Sequence, residues 1–153
     1  MADYYADSSV LVKRHVHEAG TQWFRALADP TTGNVIITAR ISMVEVYSAL
    51  NRRQREVNLS TADYAEIAAD FTLCATEYQL VELTMLLVER AKLLLERYPL
   101  RAYDAVQLAS ALMTRDALHA ANLPPLTFLA ADGRLLDAAQ AEGLMTGNPN
   151  EHP

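Results

Sequence analysis

The sequence predicts an α/β fold, a parallel sheet covered by helices on both faces. Three observations predict it. Short runs rich in β-branched or aromatic residues recur along the chain, among them residues 35–38 (VIIT) and 126–130 (LTFLA). Between them lie longer segments with helical periodicity and clear start and stop signals. Strands alternating with helices in this way imply a parallel sheet with helices packed on either side.

Taken in order, residues 4–6 read as the first strand, closed by Asp7, Ser8 and Ser9, which are good helix caps for a segment over 10–18. A second short helix runs over 21–28 and stops near Pro30. Residues 35–38, bounded by Gly33 and Asn34, read as a buried strand, and 41–55 as a helix. Ser60 opens a long helix over 61–76, and 79–83 reads as a third strand. Thr84 caps a helix that reaches Tyr98 and is stopped by Pro99. A further helix spans 102–121, ended by Asn122 and Pro124. Residues 126–130 form a fourth strand and 134–142 a last helix. Residues 147–153 (GNPNEHP) read as a flexible tail behind one domain over 1–146.

Composition narrows the functional classes. A chain of 153 residues, 51% of them hydrophobic, buries roughly 70% of its unfolded surface and needs no disulfide or zinc to fold. Cys74 is the only cysteine, which fits a reducing compartment. The opening MADYYADSS has neither a basic start nor an apolar run, so a cytoplasmic protein without a membrane segment is expected. A net charge of −6 argues against a broadly basic nucleic-acid-binding surface, though not against a local basic strip. Neither G-x-G-x-x-G nor a P-loop pattern occurs, so no nucleotide cofactor is expected.

In parallel α/β folds, sites lie beyond the carboxyl ends of the strands. That rule selects four acids. Asp7 follows the first strand, Asp132 follows the fourth, Glu45 lies one turn into the helix after the second, and Asp104 opens the helix at 102. Each has a plain alternative. Asp7 and Asp132 suit helix capping. Glu45 lies off the apolar face of Met43, Val46, Tyr47 and Leu50, and taken alone reads as a solvated residue. Asp104 is the sole acid in AYDAVQLASALMT, so its burial demands compensation, from Arg101 three residues earlier or from a metal ion. Four converging carboxylates would raise one another's pKa, and a hard divalent cation such as Mg²⁺ or Mn²⁺ removes that conflict. Such a centre supports metal-assisted phosphate chemistry.

Four stretches in order resemble PIN domains of the VapC-type toxin ribonucleases: YYADSSVLVKR, ISMVEVYSAL, LRAYDAVQLASAL and FLAADGRLLDAAQAEGL. The resemblance covers nearly the whole chain. It implies a three-layer α/β/α sandwich with a central, mainly parallel sheet of four to five strands. It also implies that Asp7, Glu45, Asp104 and Asp132 are catalytic and metal-binding. Asp7 and Asp104 would be the core ligands, Glu45 and Asp132 would complete the site partly through water, and Ser8 would assist through its hydroxyl. The implied activity is Mg²⁺/Mn²⁺-dependent endoribonuclease, with RNA as substrate, a small antitoxin as partner and a homodimer as the assembly. Pro99 departs from the Gly that often precedes the Leu-Arg pair in such sequences, which should alter the helix entry rather than the chemistry.

Other features are read more plainly. Arg52, Arg53 and Arg55 suit an RNA backbone, but also a solvated helix end favoured by the macrodipole. His15 and His17 face different sides of a helix and make a poor zinc pair. Leu86, Leu87, Leu93, Leu94 and Leu95 exceed one narrow stripe, as core or as a face for a second copy or an antitoxin. Two other functional classes stay open, a PIN-fold interaction module with little turnover and a phosphatase of another α/β fold. Ser9, where an aspartyl-phosphate enzyme would carry a second Asp, argues against the phosphatase.

Overall fold

Five short strands and seven helices build the chain, and the computed structural model describes residues 1–153. The strands are β1 (Asp3–Ala6), β2 (Val35–Ala39), β3 (Gln79–Val81), β4 (Thr127–Leu129) and β5 (Met145–Gly147). All neighbours pair in parallel, in the order β3-β2-β1-β4-β5. The helices are α1 (Ser8–Lys13), α2 (Thr21–Leu27), α3 (Ser42–Val57), α4 (Thr61–Ala75), α5 (Met85–Arg97), α6 (Ala102–Ala120) and α7 (Gly133–Ala141).

Alternation along the strands divides the apolar residues between two faces. Tyr5, Ile37 and Phe128 join Leu87, Leu94, Leu108, Leu112 and Leu135 under α5, α6 and α7. Tyr5 and Phe128 stack across adjacent strands with ring centroids 5.5 Å apart. On the other face, Ile36 and Leu129 pack with Val10, Phe24, Val46, Leu50 and Phe71 from α1 to α4. The result is an α/β/α sandwich. The chain builds outward from β1 to β2 and β3, then crosses back to place β4 on the other side of β1. The switch point between β1 and β4 is where Asp7 emerges, its backbone N–H donating to the Leu129 carbonyl at 3.1 Å.

Three expectations need correction. α1 ends at Lys13 rather than at residue 18, because the buried Lys13 ammonium turns back to the Ala19 carbonyl and Glu18 carboxylate, at 3.0 and 3.1 Å. β3 stops at Val81, where α5 takes up its Thr84 cap. The stretch 147–153 is no free tail. Gly147 is the last residue of β5, Pro149 is buried, and the His152 ring stacks on Trp23 at 4.3 Å.

Candidate metal centre

Asp7 is 4% exposed at the N-cap of α1. Its Oδ1 accepts from the Ser9 hydroxyl at 2.6 Å and from the Val10 N–H at 3.1 Å. Ser9 Oγ in turn accepts the Ala131 N–H at 3.1 Å, tying the end of β1 to the loop that carries Asp132. No protein group donates to Oδ2 of Asp7. Burial pushes this carboxyl from its ordinary 3.8 up to about 7; Ser9 and Val10 oppose the rise, and the charges of Asp104 and Glu45 add to it.

Asp104 sits half-buried in the first turn of α6, its pKa raised by burial and then by the charge of Asp132, with Arg101 opposing. Arg101 forms no ion pair within 4.0 Å, so Asp104 lacks the direct salt bridge that its position in the helix allows. Asp132 is exposed and caps α7, its Oδ1 accepting from Arg134 and Leu135 N–H at 2.8 and 3.4 Å.

Glu45 is held more firmly than its sequence surroundings suggested. Its Oε1 accepts from Gln107 Nε2 at 2.8 Å and its Oε2 from the Ser8 hydroxyl at 2.9 Å. Gln107 also donates to Ser42 Oγ at 2.8 Å and accepts from the Tyr5 hydroxyl at 2.7 Å, while Thr38 donates to Ser42 at 2.8 Å. Tyr5, Thr38, Ser42 and Gln107 thus form a buried polar chain running from the sheet to Glu45. Gln107 lies one turn beyond Asp104, so one helix serves two acids.

These donors are all hard oxygens, partly desolvated and mutually repelling, which is the chemistry that suits Mg²⁺ or Mn²⁺. Asp7 keeps one oxygen open for a cation. The residue set therefore fits a hard divalent ion.

A second group, His15, Asp70 and Cys74, brings one donor atom from each within 4.8 Å of the others, tighter than any three of the four acids. It suits a cation poorly. His15 Nδ1 is engaged by Asp70 Oδ2 at 2.8 Å, Nε2 is buried without a partner, and Arg14 and Arg25 share the neighbouring cleft. The largest cavity, about 600 Å³, is also elsewhere. It opens at the strand starts, beside Asp3, Val35 and Gln79, and is mostly apolar.

Of the acids singled out in the sequence, Asp104 and Glu45 lie close enough for their charges to raise the pKa of Asp7, and the charge of Asp132 raises that of Asp104, in each case after burial. A parallel α/β/α sandwich with carboxylates at its switch point defines the class. The PIN domain family profile matches residues 4–139, and the chain belongs to the PIN domain family. No curated protein matches it. Solved structures with a similar fold include a toxin–antitoxin complex from Klebsiella pneumoniae, at 15% identity and TM-score 0.61, covering 95% of this chain and 97% of that one. VapBC2 from Rickettsia felis, bound to a promoter DNA fragment, is 12% identical with TM-score 0.61, at 95% and 98% coverage. VapC20 of Mycobacterium tuberculosis, a sarcin–ricin loop cleaving toxin, is 18% identical with TM-score 0.61, at 98% and 99% coverage.

Proposed function

We propose that this PIN domain is an Mg²⁺/Mn²⁺-dependent endoribonuclease and the toxin of a toxin–antitoxin pair. One observation carries the reading. The Asp7 carboxylate is buried at the switch point of the sheet, keeps one oxygen free, and is raised to about 7 by burial and by its acidic neighbours. A fold holds such a group in the interior at a cost in stability, and a cation recovers that cost.

Asp7 and Asp104 would hold the ion directly, with Glu45 and Asp132 completing its shell, partly through water. A bound Mg²⁺ or Mn²⁺ supplies Lewis acidity and an activated water to the phosphodiester. The chain's own residues supply the order. Ser9 and the Val10 N–H aim Asp7, Gln107 and Ser8 fix both oxygens of Glu45, and the capping bonds of Asp132 leave its second oxygen toward solvent. A protein partner, an antitoxin or a second copy, is supported by apolar residues left in the open on α5, where Met85 is 81% and Leu86 75% exposed.

The test is cleavage of a mixed single-stranded RNA pool with Mg²⁺, with Mn²⁺ and with EDTA, beside Asp104→Asn. Metal-dependent cutting lost in the variant is expected. A folded protein that binds metal but cuts no RNA would favour the interaction module instead.

A further inference from the structure

A cleft of about 350 Å³ runs from Glu45 and Asp104 outward between α3 and the start of α6, and beyond those two acids its walls carry two arginines and no further carboxylate. Val44 and Arg52 line it from α3, Arg101 from the N-cap of α6 and Tyr103 from its first turn. Neither arginine pairs with a carboxylate within 4.0 Å, although two acids line the same cleft. Both guanidiniums are exposed and free for a ligand's anions. Arg53 and Arg55, their neighbours in sequence, do not line the cleft. Tyr103 is 56% exposed, its ring stacks on no other aromatic, and its hydroxyl bonds to nothing in the protein.

From this juxtaposition we infer that the cleft is a binding subsite for an unpaired nucleotide of the RNA strand, with its base on Tyr103 and its flanking phosphates on Arg52 and Arg101. The inference rests on the ribonuclease reading. Arg52 lies two turns of α3 beyond Glu45, about 10 Å at 1.5 Å per residue, which suits a phosphate a nucleotide or two from the one being cut. Stacking on an exposed ring requires a base already free of its helix, so the subsite takes an unpaired nucleotide. Val44, 64% exposed, adds an apolar side chain to the same cleft.

Binding, rather than cleavage, separates this inference from the reading beneath it. Fluorescence anisotropy would follow a labelled single-stranded RNA, and the same RNA annealed to its complement, in Ca²⁺ and over a range of KCl. Tyr103→Ala is expected to weaken single-strand binding about tenfold, with Tyr103→Phe close to the parent. Arg52→Ala should reduce the slope of log affinity against log salt by about one, whereas Arg53→Ala leaves affinity and slope unchanged. Circular dichroism would establish that each variant is folded. Equal losses from Arg52→Ala and Arg53→Ala, an indifferent Tyr103→Ala, or duplex bound as tightly as single strand would each overturn the subsite. If the variants behave as expected while no metal restores cleavage, the subsite stands and the nuclease reading falls. If cleavage is normal and the variants bind like the parent, the reverse holds.

Discussion

Replacing Asp7 by Asn should stabilise the protein while abolishing cation binding at the proposed metal site. The carboxyl titrates near 3.8 when exposed and at about 7 in the fold, with burial the main cause. A carboxyl raised on folding leaves the fold most stable below the lower value. Stability then falls as pH rises toward the higher one and is level beyond it. A gap of about three units corresponds to about 4 kcal/mol at pH 8. Asn keeps the carbonyl that accepts from Ser9 and Val10 but never ionises. Loss of the charge at a helix N-cap returns about 0.5 kcal/mol. The net gain, roughly 2–4 kcal/mol, would raise the melting temperature by roughly 5–15 °C in a domain of this size.

The assay is thermal unfolding in EDTA, at pH 4 and pH 8, for the parent and Asp7→Asn. The two should melt together near pH 4 and separate at pH 8. Adding Mn²⁺ at pH 8 should then raise the parent's melting temperature and leave the variant's unchanged, because only the parent gains from a ligand that binds the fold. A variant no more stable than the parent at pH 8, or a difference independent of pH, would refute the claim that Asp7 is held at a cost.

Asp104→Asn is expected to abolish metal-dependent cleavage and leave the circular dichroism spectrum unchanged; loss of folding would instead make Asp104 a structural residue. Gln107→Ala strands the Tyr5 hydroxyl and one oxygen of Glu45, so urea unfolding should report a loss of about 2–4 kcal/mol, and calorimetry a metal affinity down tenfold or more. His15 is buried neutral, its pKa lowered first by burial and sustained in part by Asp70, so the unfolded chain binds its proton sooner. Its contribution to stability should be full above about pH 6.5 and fall as pH drops below it. His15→Phe should flatten that part of the melting profile relative to the parent. Gly20→Ala should cost about 1–3 kcal/mol by denaturant titration, since Gly20 has φ +84° and a Cβ there would collide with the Pro149 carbonyl.

Most of the fold was legible because its punctuation is local. Ser60 and Thr84 cap their helices as read, donated to by Asp63 and Leu87 at 3.0 and 3.2 Å, and α5 ends at Arg97 just before Tyr98 and Pro99. What escaped was set by distant partners. β5 is three residues with a glycine, and only its pairing with β4 makes it a strand. The stretch after it is held by Gly20 and Trp23 at the far end of the sequence. The same distinction divides the site. Asp7 and Asp132 could be placed from strand ends alone. Glu45 was read as solvated because the donors that fix it, Ser8 and Gln107, lie 37 and 62 residues away. Gln107 had a weak signal, an uncharged polar residue one turn after Asp104 within an apolar run.

That buried chain explains why the interior tolerates so many polar groups in one place. An apolar set of similar volume at Tyr5, Thr38, Ser42 and Gln107 would pack as well and avoid the desolvation of hydroxyls and amide. It would leave Glu45 tethered only by Ser8. With the chain present, the rotamer of Glu45 is tied through Gln107 to the sheet itself, and Asp7 is tied to the same sheet through Leu129. Acids placed by the sheet cannot relax apart when they repel. Burial first, and the charge of neighbouring acids after it, raises the pKa values of Asp7 and Asp104, and a hard cation bound there would relieve both costs.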